Sequence, residues 1–116
     1  MTKRILYLKI STKNKNLNFF IIQKITLKKL IIFGTGIAAK LAHFYFKRDG
    51  EYLPVCFTVN RSYINSEKLC KLPIIPFERI DTIYKPDLHE IFVAIGPSSM
   101  NVNREIKYKE SKSKGY

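Results

Sequence analysis

Leu30-Ile31-Ile32-Phe33 is a run of four large apolar residues, too short for a helix face and suited to a strand buried on both sides. It passes directly into Gly34-Thr35-Gly36-Ile37-Ala38-Ala39, a pattern that predicts strand, tight turn and helix in succession. On that helix Leu41, Ala42, Phe44 and Tyr45 or Phe46 are expected on the apolar side, Lys47 and Arg48 in the last turn and Gly50 at C′. Tyr52 to Val59 reads as a second strand, Val55, Phe57 and Val59 alternating against Cys56 and Thr58, with Pro54 near its start where a missing N–H is tolerated. Tyr63 to Lys71 is polar and connective. Leu72-Pro73-Ile74-Ile75-Pro76 predicts a short strand, Phe77 to Ile80 a helical turn, and Tyr84-Lys85-Pro86-Asp87 a reverse turn. Glu90 to Ile95 is a further buried strand stopped by Gly96-Pro97, and a last helix runs from near Asn101 to Lys114 with Gly115 as its stop.

The resulting order, β-α-β-(β)-β-α, alternates helices with buried strands and implies a mostly parallel sheet with right-handed crossovers. The expected fold class is α/β, a Rossmann-like domain of three layers. In such sheets ligands lie beyond the carboxyl ends of the strands, where the connections diverge. Three loops end there: Gly34 to Ala38, Asn60 to Ser62, and Gly96 to Asn101.

These loops supply the candidate site residues. Gly34 makes the tight turn, Gly36 lets a phosphate approach the backbone, and Ala39 is the small residue that lets helix and strand pack. With Thr35 they present the N–H groups of Ile37, Ala38 and Ala39 to an anion. Asn60 stands where dinucleotide sites place the acid that holds a ribose hydroxyl. An amide there hydrogen-bonds a hydroxyl without charge, and it equally suits a turn. Arg61 has the chemistry to pair with a phosphate, or simply to be solvated. Ser98, Ser99 and Asn101 follow a buried strand and either contact a ligand or cap the last helix. His43 and His89 have no carboxylate, serine or cysteine at motif spacing, so neither reads as a general base, and no paired carboxylates, nucleophile elbow or metal cluster is present in the sequence.

The net charge of +12 at first suggests nucleic acid. Its placement argues otherwise: residues 1 to 30 hold eight Lys/Arg and no acid, while residues 31 to 103 hold eight against seven acids and residues 104 to 116 five against two. The central body is nearly neutral, so specific nucleic-acid binding is not expected, only salt-sensitive adhesion to polyanions. Residues 1 to 27, rich in Lys, Asn and Ile, read as a disordered or loosely attached leader, with an edge strand over Arg4 to Ile10 as the alternative. The domain proper is expected over residues 28 to 116. Cys56 and Cys70 lack metal-ligand or Cys-x-x-Cys spacing and are expected reduced, Cys56 as a buried hydrophobe. No apolar run approaches the roughly 20 residues of a membrane span, and no cleavable signal follows the basic N-terminus, so the cytoplasm is the expected compartment.

Read together, Ile31-Ile32-Phe33-Gly34-Thr35-Gly36, Phe57-Thr58-Val59-Asn60, Leu72-Pro73-Ile74-Ile75-Pro76-Phe77-Glu78, Phe92-Val93-Ala94-Ile95-Gly96, Met100-Asn101 and Lys114-Gly115-Tyr116 resemble the N-terminal domain of the PglD/NeuD-type sugar O- and N-acyltransferases, over Lys29 to Tyr116. The resemblance implies a small domain that binds a nucleotide-sugar, typically UDP-linked, at Gly34 to Ala38, Asn60, Arg61, Gly96, Ser98 and Asn101. In that family a left-handed β-helix follows, which binds acetyl-CoA, assembles as a trimer and carries the catalytic histidine. No hexapeptide repeats of that kind occur here, so no cofactor is expected to bind this chain itself. Asn60 departs from the family, which usually carries Asp at that place. The expected function is nucleotide-sugar binding without acyl transfer. The alternatives are the substrate-binding part of a split acetyltransferase completed by a separately encoded β-helix chain, an NAD(P)-binding module, and a basic nucleic-acid-binding protein.

Overall fold

The computed structural model describes residues 28–95 and 101–116. Its order is β1 (Lys28–Phe33), α1 (Ile37–Asp49), β2 (Tyr52–Val59), β3 (Lys68–Leu69), β4 (Leu72–Pro76), α2 (Ile80–Ile83), β5 (His89–Val93) and α3 (Asn101–Ser113), with 3-10 turns at Arg61–Tyr63, Phe77–Arg79 and Pro86–Leu88. The strands form one sheet in the order β3-β4-β2-β1-β5. β1 lies parallel to both β2 and β5, β2 lies parallel to β4, and β3 alone is antiparallel, hairpinned onto β4. This is the Rossmann-like α/β arrangement expected from the alternation of elements.

Because successive side chains of a strand point to opposite faces, the run Leu30 to Phe33 feeds two cores at once. Leu30 and Ile32 pack with Phe57, Val59 and Ile74 beneath Ala39 and Ala42 of α1. Ile31 and Phe33 pack with Cys56, Phe77 and Ile80 on the opposite face, where α2 and the C-terminal Tyr116 close the layer. A buried Cys56 matches the expectation of a small core hydrophobe.

The helix face is a correction. Leu41 and Phe44, expected to point inward, are 51% and 57% exposed, whereas Ala42 is buried as expected and of the Tyr45 or Phe46 alternative it is Phe46 that packs inward, beside Ala38 and the buried Ala39. The reason is distance: α1 starts immediately after the turn, so only small side chains fit between its first turns and the sheet. Arg48 lies over the outward Phe44 and Tyr45 rings at 5.8 and 5.2 Å, a surface cation–π cluster. The stop of α1 is as expected, Gly50 taking φ 74° and donating its N–H to Phe46 O at 3.4 Å.

Two further boundaries differ. The connective stretch before β4 contains β3, reached through Cys70 and Lys71 at φ 50° and 67°. The last strand ends at Val93 rather than Ile95. Ala94 still donates to Phe33 O at 2.8 Å, so the chain leaves the sheet by peeling away one residue beyond the ladder.

Thr58 is the buried polar residue of the central sheet, 0% exposed, with its hydroxyl donating to Ile75 O at 2.7 Å. Thr58→Val keeps the shape and removes the donor, so it is expected to cost about 1–2 kcal/mol in urea denaturation. An unchanged midpoint would show that the β2–β4 pairing does not use this bond.

Candidate functional site: the crevice between β1 and β5

From β1 the chain crosses through α1 to β2 on one side, and from β4 it returns past β1 to β5 on the other. The direction reverses between β1 and β5, which is where open α/β sheets leave a crevice beyond the strand ends. Gly34 sits at that point. It takes φ +125°, donates its N–H to Thr58 O at 2.8 Å, and a Cβ built on it would stand 2.6 Å from Ala94 O and 3.4 Å from the Ala39 Cβ. The first glycine is thus required by a close approach of three chain segments as well as by its backbone angle.

Gly36 differs. It is the N-cap of α1 at φ −88°, ψ −161°, exposed, with no described protein atom within 4 Å of the place a Cβ would occupy. Neither angle nor packing demands a glycine. Lys40 N donates to Gly36 O at 3.1 Å and begins the helical ladder, so the N–H groups of Ile37, Ala38 and Ala39 have no partner inside the helix. No acid stands in the first turn and Gly36 has no side chain to cap it, so among the described residues no side chain caps the positive end of the helix dipole. Thr35 is half-buried beside it, and Ile37 is 78% exposed at the helix start.

At the tip of β2, Asn60 is half-buried and Arg61 exposed, and both are engaged by a residue from the end of β4. Glu78 accepts from Arg61 N–H at 2.9 Å and from the Asn60 side-chain amide at 3.3 Å. Its carboxyl is held below the usual range, first by its own backbone N–H, with burial opposing, and then by Arg61 N–H, the Asn60 amide and the Arg61 charge. A carboxylate from 18 residues downstream thus stands against the tip of β2.

On the α1 side of β5 a groove of about 430 Å³ runs along Ala38, Leu41, Ala42, Phe92, Ala94 and Ile95 to Arg104. Arg104 donates from Nη2 to Ile95 O at 3.1 Å, which places its guanidinium at the mouth of the same crevice. Neither Arg104 nor Glu78 had been singled out as a site residue from sequence. Arg104 carried one signal: a cation in the first turn of a helix opposes the dipole preference. Glu78 carried no signal except its place in the Pro-Phe-Glu segment.

Of the expected site residues, the structure brings Gly34, Thr35, Gly36, Ile37 and Ala38 to the switch point and places Asn60 and Arg61 on Glu78. Gly96 and Ser98 lie outside the described residues, as does the side chain of Asn101. His43 stacks on Phe57 with ring centroids 5.7 Å apart, and burial, then Lys47, lowers its pKa. His89 hydrogen-bonds Lys85 O through Nδ1 at 2.9 Å. Among the described residues no group of His, Cys, Asp and Glu is arranged to hold a metal ion, and no helix is long and apolar enough to cross a membrane.

No protein-family model matches the chain, and no curated protein sequence is similar to it. Two solved structures share its fold. The acetyltransferase domain of PglB from Neisseria gonorrhoeae FA1090, in complex with acetyl coenzyme A, matches with a TM-score of 0.62 at 20% identity, covering 78% of this chain and 41% of that one. The same domain solved without the ligand matches with a TM-score of 0.62 at 20% identity over 77% of this chain. The chain thus has the fold of less than half of an acetyltransferase domain.

Proposed function

We propose that residues 28–116 form a nucleotide-sugar-binding domain of the kind joined to sugar acyltransferases, taking the diphosphate of a UDP-linked sugar at the start of α1. The observation that carries this reading is the pairing of the two glycines. Gly34 is required by Ala94 O and by its angle, whereas Gly36 stands at a helix N-terminus with no side-chain cap and has no described atom within 4 Å of where a Cβ would lie, so among the described residues nothing requires it to be glycine. A ligand phosphate brought against the backbone supplies that need. The switch-point position, the resemblance over Lys29 to Tyr116 and the shared fold with an acetyltransferase domain support the same reading. Arg104 adds a cation at the crevice mouth, suited to the outer phosphate.

Calorimetric titration of the full chain with a UDP-sugar, UDP, NAD and coenzyme A tests it. UDP and the UDP-sugar are expected to bind, and preference for NAD would replace this reading with a dinucleotide one. Gly36→Val supplies the second arm. With φ at −88° and space around it, valine fits the fold, at up to about 1 kcal/mol for a poorer N-cap. Its side chain would stand between phosphate and helix N–H groups. Losing two charged hydrogen bonds is worth a hundredfold or more in affinity, on the order of 3 kcal/mol. A folded Gly36→Val protein with undiminished affinity would reduce the loop to a turn.

A further inference from the structure

We propose that Glu78 is a specificity residue for the nucleotide, presenting from the end of β4, beside the tip of β2, the carboxylate that accepts the ribose hydroxyls of a ribonucleoside diphosphate. The inference rests on the nucleotide reading above and adds which group selects the sugar of the nucleotide and which way round the ligand lies.

The chemistry starts from the donor and acceptor inventory. A carboxylate offers about four lone-pair positions on two oxygens and no donor. On Glu78 the Arg61 N–H falls on Oε1 at 2.9 Å and more weakly on Oε2 at 3.3 Å, and the Asn60 amide falls on Oε2 at 3.3 Å. These bonds fix the side chain between the turns that follow β2 and β4 while leaving acceptor capacity on an exposed group. The backbone N–H of Glu78 first, and then these two donors, favour its anionic form.

A second consequence concerns Asn60. An acceptor-only partner can take only the nitrogen of the amide, so Glu78 dictates the amide's orientation and leaves Asn60 Oδ1 as a further acceptor. Asn60 and Glu78 together then offer acceptors to a diol, as a single aspartate does in other sites of this fold. The charges along the carboxyl ends of the strands are then polar in the same sense: the helix N-terminus and Arg104, on the β1–β5 side, attract phosphate, and Glu78, on the β2–β4 side, repels phosphate and takes hydroxyls. Arg61 is beside Glu78 but holds it through the backbone N–H, so the carboxylate is not consumed by a guanidinium fork.

The test compares UDP with 2′-deoxy-UDP by calorimetry on the full chain, for wild type, Glu78→Gln and the double variant Asn60→Asp/Glu78→Gln, with thermal melts as a folding control. Wild type is expected to prefer UDP by about tenfold, the worth of one charged hydrogen bond. Glu78→Gln is expected to lose that preference while binding 2′-deoxy-UDP as wild type does. Returning a carboxylate at position 60 in the double variant is expected to restore it. A purely structural Glu78 would weaken both nucleotides alike and leave their ratio unchanged, and that result overturns the proposal. Equal binding of both nucleotides by wild type overturns it too while leaving the nucleotide reading intact. Binding of neither removes the nucleotide reading and this proposal with it.

Discussion

Gly34→Ala is expected to destabilise the fold by about 3–5 kcal/mol, a large effect for adding one methyl group. Two costs coincide at this position. At φ +125° an L-residue is strained, and the new Cβ would stand 2.6 Å from Ala94 O, a backbone atom that cannot swing aside. Relief requires moving the end of β5 away from β1, where Ala94 N–H is bonded to Phe33 O. The same shift would disturb the Gly34 N–H bond to Thr58 O and so reach β2. Urea denaturation of the variant should show a clearly lower midpoint, in contrast to Gly36→Val, whose cost falls on binding. If the two variants lose stability equally, the division of labour between the glycines is wrong.

Stability is also expected to collapse at alkaline pH, through a group of weak acids packed neutral against the second face of the sheet. Burial raises the Cys56 thiol from 9.0 to about 12, a contact with Tyr84 opposing it slightly. Burial likewise raises Tyr84, with Cys56 adding to it, and raises Tyr116, with Asp81 and Cys56 adding. The Tyr116 hydroxyl donates to Tyr84 O at 2.5 Å, a bond that needs the proton. The sign follows from linkage. The folded chain holds these protons more tightly than the unfolded chain, so the stabilisation is complete below pH 9 and is lost as pH rises through about 12. The Cys56 share of that loss is on the order of 4 kcal/mol by pH 12. Urea denaturation from pH 7 to 11 should show the fall beginning near 9. Cys56→Ala, at some cost in packing, should flatten that limb, and an unchanged slope in the variant would place the alkaline sensitivity elsewhere.

The elements that alternation and glycine placement predicted are present because those signals are local. Leu30 to Phe33 is apolar on both faces, and a strand buried on both faces can only be central. Gly50 and Gly115 stop their helices with φ 74° and 108°, which few other residues adopt. Where the reading failed, the deciding contact was not local. Leu41, Phe44 and Tyr45 carry much of the apolar signal of α1, yet the helix fully buries Ala39 and Ala42 against the sheet, close to the tight turn. β3 was missed because its turn uses Cys70 and Lys71 at positive φ, without the glycine or asparagine that would announce it.

By itself, the sequence determined the parallel strands β1, β2, β4 and β5, the order of layers and the Gly34-Thr35-Gly36 turn, since each follows from side-chain periodicity or from an angle that glycine alone takes easily. Tertiary structure decided the polar half of the candidate site. Asn60 read as an uncharged stand-in for an acid until the parallel pairing of β2 with β4 brought Glu78 against it from 18 residues away. Arg104 reached the crevice only because β5 lies beside β1 and α3 returns over Ile95. Charge and hydrogen bonding act through space over a few ångströms, and which residues meet at that distance is set by strand order rather than by position in the chain.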